Sequence, residues 1–341
     1  MRKVIVISPS GNFYGSEQVL YDYLRHTTYT YEVYVPHQSM FYNKLKHGKH
    51  ELFEFTSVIK LYIQVFFKLL TGKYQTVYVN EAGHSRYIHL LAGLFPRVRF
   101  VIHIRILEDT VVEKWKSFRS SNTKLVTISR FVKSKLPIDG VVVYDLFDFP
   151  DTFPEKRKKF QADLNVALIG RVSFSKGFKE LVELAHEIDK RKISSIITIN
   201  IYGDIMDEVA EDPGIEFLRS LSFVKFHGFV ANELIYQNND LVLHLSKMEP
   251  LGRIFFEAVS AGLPLVGFKS GGIGEIAGIA GLDDFVVEPG THETVRLLDT
   301  IHSVKRQQSL EEKLQHAFMR LKAEFGVPEY VATLDNLIVE N

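Results

Sequence analysis

The 341-residue chain contains no cysteine. That excludes a disulfide framework and any thiolate metal site. It fits a cytoplasmic protein, though exported proteins can also lack cysteine. The chain has no surplus of either charge: Lys plus Arg and Asp plus Glu number 41 each. A dedicated nucleic-acid binder usually carries a basic excess, so no nucleic-acid partner is expected. Long apolar runs are absent too. A membrane span needs about 18 consecutive apolar residues. The nearest approach, Val58–Leu70, is broken by Lys60, Gln64 and Lys68. No secretory signal is evident, because Gly11 interrupts the short apolar run before an h-region forms. The expected location is the cytoplasm, with peripheral contact at the inner face of the membrane left open.

What is present is a soluble globular balance, 46% hydrophobic and 24% charged, at a length that suits two domains. The pattern alternates strand and helix. Short β-branched runs at residues 4–7, 32–35, 76–79, 99–104, 125–128 and 141–143 read as buried parallel strands. Residues 149–161 hold two prolines and a basic cluster with little periodicity, and read as a linker. The pattern restarts with strands at 166–169, 196–202, 223–226, 241–245, 264–267 and 284–287. Residues 291–322 read as largely helical and 328–339 as a final amphipathic helix. Strands separated by helices imply right-handed crossovers, hence two doubly wound α/β domains. Ligands of such sheets bind beyond the carboxyl ends of the strands, so the loops there are where chemistry is expected.

Five such loops stand out. The first runs from Ser8 to Glu17, with Gly15 where the next helix begins. A glycine at a helix N-terminus suits an anion, but the dinucleotide fingerprint is missing and a plain turn reads as well. The second carries Arg171 and Lys176, five residues apart. A planar fork and a point charge could grip a diphosphate; both could equally be solvated loop cations. The third is E-P-L-G-R-I-F-F-E-A from Glu249 to Ala258. Glu249 lies in the loop, and Leu251, Gly252 and Arg253 supply amides at a helix start. Glu257 falls in the second turn of that helix, within an apolar run, where a carboxylate needs a partner. Two acceptor-only carboxylates beside free donors suit ribose or sugar diols. Alternatively, Glu249 merely complements the helix dipole, worth about 0.3–1 kcal/mol. The fourth is His103 at a strand end, followed by Arg105, where a lone histidine is more often structural. The fifth is the Gly-rich loop at Gly271, Gly272 and Gly274, which reads at least as well as a flexible turn as a ligand loop.

Residues 57–73 leave two readings open. Lys60, Lys68 and Lys73 are mixed with Ile59, Leu61, Tyr62, Ile63, Val65, Phe66, Phe67, Leu69 and Leu70. This fits an interfacial helix on a membrane, or an ordinary core-packing helix with solvated lysines.

Together these pieces resemble the family 4 (group 1) retaining glycosyltransferases. The strongest match is the Glu249–Ala258 motif with A-G-L-P-L-V after it and G-G-I-G-E ending at Glu275. Gly170-Arg171 with Lys176-Gly177 match at the family's spacing, as does V-T-I-S-R-F-V-K from Val126 and Y-D-L-F-D from Tyr144. The match spans nearly the whole chain and is more specific in its second half. The resemblance implies the GT-B fold: two Rossmann-like domains with a donor cleft between them, and a C-terminal helix crossing back to the first. Its boundaries would be residues 1–149, 150–325 and 326–341.

It further implies that Arg171 and Lys176 hold the donor's diphosphate. Glu257 would accept from the ribose, and Glu249, with the amides around Leu251, Gly252 and Arg253, would bind the transferred sugar. His103 would sit near the reacting carbon, and Gly15 near the phosphates and acceptor. Three departures stand out: Tyr14 precedes Gly15 where a second glycine is usual, Leu251 replaces phenylalanine, and Asp145 replaces asparagine. The implied reaction moves a sugar, with retention, from a nucleoside diphosphate sugar to a hydroxyl of a glycan, lipid-linked or small-molecule acceptor. No cofactor beyond the donor substrate and no metal is expected. The alternatives are a nucleotide-sugar epimerase of the same fold and a catalytically silent GT-B subunit.

Overall fold

The computed structural model describes residues 3–115, 118, 121–154 and 163–340. Most of the basic cluster in the expected linker, residues 155–161, lies outside the described residues. Contacts divide the chain into Met1–Asp148 with Glu324–Asn341, and Phe149–Ala323.

In the first unit the strands are β1 (Lys3–Ile7), β2 (Glu32–Pro36), β3 (Glu51–Phe55), β4 (Tyr74–Val79), β5 (Arg99–Ile104), β6 (Thr123–Thr127) and β7 (Val141–Val142). They form one parallel sheet in the order β3-β2-β1-β4-β5-β6-β7. β1 is buried from Val4 to Ile7 because it lies inside the sheet and is covered on both faces. The chain runs outward from β1 to β3, then crosses back to β4. The reversal between β1 and β4 is the topological switch point where such sheets open a crevice.

The final segment completes this unit. A helix over Val327–Asp335 is followed by a π-helical turn at Asn336–Glu340. Tyr330, Leu334, Leu337 and Ile338 join Val19, Tyr23 and Leu24 of the helix Gly15–His26 in one apolar cluster. Asp335 is buried there, and its carboxylate accepts from Tyr23 (2.5 Å), Thr27 (2.8 Å) and Tyr31 (3.0 Å). A buried carboxylate is tolerated only when paired in this way.

In the second unit the strands are β8 (Leu164–Ile169), β9 (Ile197–Tyr202), β10 (Val224–Gly228), β11 (Leu241–His244), β12 (Leu265–Phe268) and β13 (Val286–Val287). All pair in parallel, in the order β10-β9-β8-β11-β12-β13. The switch point falls between β8 and β11.

Two elements differ from the sequence expectation. β3 was not foreseen. Among the described residues it is an edge strand paired to β2 alone, and most of it is half-exposed, so E-L-F-E-F carries no long apolar run. The Gly271 loop is no flexible turn, because a helix begins at Gly271 and runs to Ala280. A Cβ on Gly272 would stand 2.3 Å from Leu251 Cα, and the Gly272 amide donates to the Glu249 carbonyl at 2.8 Å. The glycine therefore lets one helix start rest directly on the backbone of the Glu249 loop.

Candidate active site

The second unit brings two of the singled-out charges together. Lys176 follows β8, in a short 3₁₀ turn at Phe174–Lys176. Glu249 follows β11. Their side chains meet across the switch point at 2.6 Å, with Lys176 38% and Glu249 18% exposed. The pair thus has one face in solvent and one against protein. Glu249 is held from below by the backbone contact with Gly272. Next to it Gly252 caps the helix Arg253–Ser260 at φ 94°, a left-handed conformation that favours glycine. The first amides of that helix have no intrahelical acceptor and carry the positive end of its dipole. Leu251 is buried at 3% exposure and anchors the loop.

Glu257 is half-buried on this helix, and Tyr236 donates to its Oε2 at 2.8 Å. Burial first, then the neighbouring carboxylate, raises the Tyr236 hydroxyl far above its ordinary range, so it stays a donor. Arg171 is exposed on the loop after β8, and the structure sets it in no ion pair among the described residues. Arg253 is half-buried at the helix start.

Sequence reasoning missed His244, at the end of β11. Its Nε2 lies 3.8 Å from Glu249 Oε2. Burial pushes the imidazole down to about 4, against the pull of Glu249 and aided by Lys176. It is therefore neutral at neutral pH and backs the Lys176–Glu249 pair without adding charge. Tyr236 was also missed: it lies 21 residues before Glu257, and no local spacing links them. The only available signal for His244 was its place at a strand's carboxyl end.

In the first unit the corresponding switch point, between β1 and β4, is bridged by Ser16 and Glu81, at 2.5 Å. Ser16 also lies 3.0 Å from Glu17 Oε2, so one hydroxyl stands between two carboxylates. Burial, outweighing the Ser16 bond, and then the Glu17 charge raise the Glu81 carboxyl above its usual range. Gly15 is the first residue of the helix beside this group, and the preceding Tyr14 is 72% exposed.

His103 is the penultimate residue of β5 and is fully buried. Its Nδ1 lies 2.8 Å from the Tyr78 hydroxyl and 3.3 Å from an Arg105 amino group. Arginine can only donate, so Nδ1 accepts and the proton sits on Nε2. Burial and then Arg105 hold this imidazole well below its ordinary range, and it is neutral. Arg105 is the hub of the network. It contacts Asp145, donates to the Asn80 carbonyl (3.0 Å) and side chain (3.0 Å), and reaches Tyr330 at 3.4 Å. Burial would discharge the guanidinium, but Asp145 beside it more than offsets that and holds it charged. The aspartate that departs from the family's asparagine thus has a reason: it neutralises a buried arginine.

Residues 151–318 match the model of the family of glycosyl transferases group 1. Among solved structures, Anabaena Alr3699/HepE in complex with UDP is similar at 20% identity and TM-score 0.74, over 98% of this chain and 99% of that one. A glycosyltransferase from Rickettsia africae ESF-5 aligns at 15% identity and TM-score 0.76, over 98% and 97%. The lipopolysaccharide outer core galactosyltransferase WaaB, in its apo form, aligns at 16% identity and TM-score 0.72, over 98% of both chains. A sequence search of curated proteins found no match. The shared fold is GT-B, two Rossmann-like α/β domains in one chain.

Proposed function

We propose that the chain is a retaining glycosyltransferase whose second unit binds a nucleoside diphosphate sugar at the β8–β11 switch point. The observation that carries this reading is the Lys176–Glu249 pair, placed across that switch point at 2.6 Å beside a helix N-terminus. Lys176 and Arg171 would hold the diphosphate. Glu249 would then exchange part of its ion pair for hydroxyls of the transferred sugar, with the amides near Leu251, Gly252 and Arg253. Glu257, oriented by Tyr236, would accept from the ribose diol. The Anabaena structure holds UDP-glucose in one of its complexes, which supports a uridine nucleotide donor here.

In the reaction, the bond from the anomeric carbon to the diphosphate oxygen breaks, and a bond to an acceptor hydroxyl oxygen forms. The departing diphosphate gains negative charge as the sugar becomes oxocarbenium-like. Fixed cations and amides aimed at that charge lower the barrier. The acceptor's proton passes to the leaving phosphate on the same face, which gives retention without a carboxylate nucleophile. His103 and Gly15, in the first unit, enter this proposal with the places the family resemblance implies: His103 near the reacting carbon and the sugar, and Gly15 close to the phosphates and the acceptor. Turnover is proposed to need no divalent ion; loss with chelator and recovery with metal would contradict that part.

The test is NMR of the product formed from UDP-glucose with glycan and lipid-linked acceptors. An axial donor linkage giving an axial product linkage is the expected result. An inverted linkage would overturn the retaining mechanism. Conversion of the donor sugar without acceptor would instead mark an epimerase.

A further inference from the structure

The helices Val58–Leu70 and Ser85–Leu94 of the first unit form a surface that no site above uses. The first buries Leu61, Tyr62, Val65 and Leu69 against the sheet. Its opposite face shows Ile59 (60% exposed), Ile63 (51%), Phe67 (62%) and Leu70 (59%). These recur at helical spacing and make one stripe. The second helix adds Leu90 (63%) and Leu94 (56%). Tyr62 stacks on Tyr87 at 4.8 Å and Phe66 meets Phe95 edge-on at 5.5 Å, so the two helices are neighbours. Six large apolar side chains thus stand in solvent on adjoining helices, more than scattered exposure accounts for.

The charge carried by this segment is almost all of one sign. Between Ser57 and Val98 the chain has Lys60, Lys68, Lys73, Arg86 and Arg97 against the single acid Glu81. Glu81 is half-buried and turned to Ser16. Lys68 is also engaged, paired with Glu32 and 3.9 Å from the Phe53 ring centroid. Lys60, Lys73, Arg86 and Arg97 are exposed, and no ion pair holds them among the described residues. The exposed charged residues of this segment are therefore all basic, while Glu32 and Glu51 of the adjoining strands β2 and β3 are paired with Lys68 and Lys3. A second copy would place cations against cations, since a two-fold interface sets the same patch on both sides. No helix among the described residues is long and apolar enough to cross a membrane.

We propose that this face docks on an anionic lipid bilayer. Phe67, Ile63, Ile59, Leu70, Leu90 and Leu94 would enter the boundary between headgroups and acyl chains. Lys60, Lys73, Arg86 and Arg97 would lie among the lipid phosphates. The inference does not rest on glycosyl transfer and shares no residue with the proposed donor site.

The experiment is flotation of the full chain with phosphatidylcholine vesicles, with and without phosphatidylglycerol. The chain should float with the anionic vesicles at low ionic strength, less with rising salt, and little with phosphatidylcholine alone. Each cation near such a surface is worth roughly a fivefold factor in partition, so Lys60→Ala with Lys73→Ala should weaken binding by roughly 25-fold. Ile63→Asp with Phe67→Asp should abolish it while leaving the circular dichroism unchanged. No retention on anionic vesicles would overturn the proposal, as would retention that the Asp variant leaves intact. A concentration-dependent dimer that the Asp variant abolishes, without vesicle binding, would assign the patch to a second copy instead. Nucleotide binding, measured separately on the same samples, keeps the outcome distinct from that of the donor site.

Discussion

Replacing Lys176 with alanine is expected to lower kcat/KM by about 100- to 1,000-fold, the usual range for removing one group that stabilises developing charge. The ammonium lies beside Glu249, at the end of the strand pair where the diphosphate would sit. Its charge matters most when the leaving phosphate becomes more negative, so kcat should fall more than KM rises. Stability should hardly move. The pair is partly exposed, and such ion pairs contribute about 0–1 kcal/mol. Lys176→Arg should recover part of the loss, because it restores the charge without the compact point geometry. Initial rates against donor concentration decide the matter. An unchanged kcat in Lys176→Ala, with the fold intact, would remove Lys176 from the chemistry.

The second large effect falls on stability. Asp145→Ala should destabilise the first unit by about 3–5 kcal/mol, because it leaves the Arg105 charge buried with no counter-charge. Arg105 and Asp145 are each about 5% exposed, and Asn80, His103 and Tyr330 fill the rest of the guanidinium's surroundings. The double variant Arg105→Met/Asp145→Leu should be more stable than Asp145→Ala, since it removes the stranded charge along with its partner. Trp115 is the only tryptophan, is buried, and belongs to the first unit. Its fluorescence during urea unfolding therefore reports this unit by itself. A midpoint for Asp145→Ala equal to that of the wild type would show that the ion pair does not hold the network together.

The sheets were largely legible because their strands are buried on both faces. Short apolar runs such as residues 99–104 fit a covered parallel strand, which is what they form. β3 escaped because an edge strand alternates Glu with Leu and Phe and needs no continuous apolar run. Charged loops after strands could be picked out by position, and Lys176 with Glu249 were, but their contact could not. The two lie 73 residues apart and meet only because β8 and β11 are neighbours in the sheet. The same holds for Arg105 and Asp145, 40 residues apart, each noticed singly. Gly271 and Gly272 were visible as glycines, yet their use as a seat for the Glu249 loop needed the third dimension. Residues 57–73 posed a choice between core helix and interfacial helix. The structure shows a core face with Leu61 and Val65 and an exposed apolar face with Ile63 and Phe67, on a helix that neighbours the one carrying the exposed Leu90 and Leu94.

The central claim is that the second unit holds a nucleoside diphosphate, and thermal unfolding with added UDP, GDP or ADP tests it most directly. At about 100 times its dissociation constant, a ligand of the folded state stabilises by roughly 2.7 kcal/mol. The account predicts a raised Tm with UDP for the wild type, and little or no rise for Glu257→Ala and Arg171→Ala. No rise with any of the three nucleotides, or an equal rise in wild type and both variants, would contradict it.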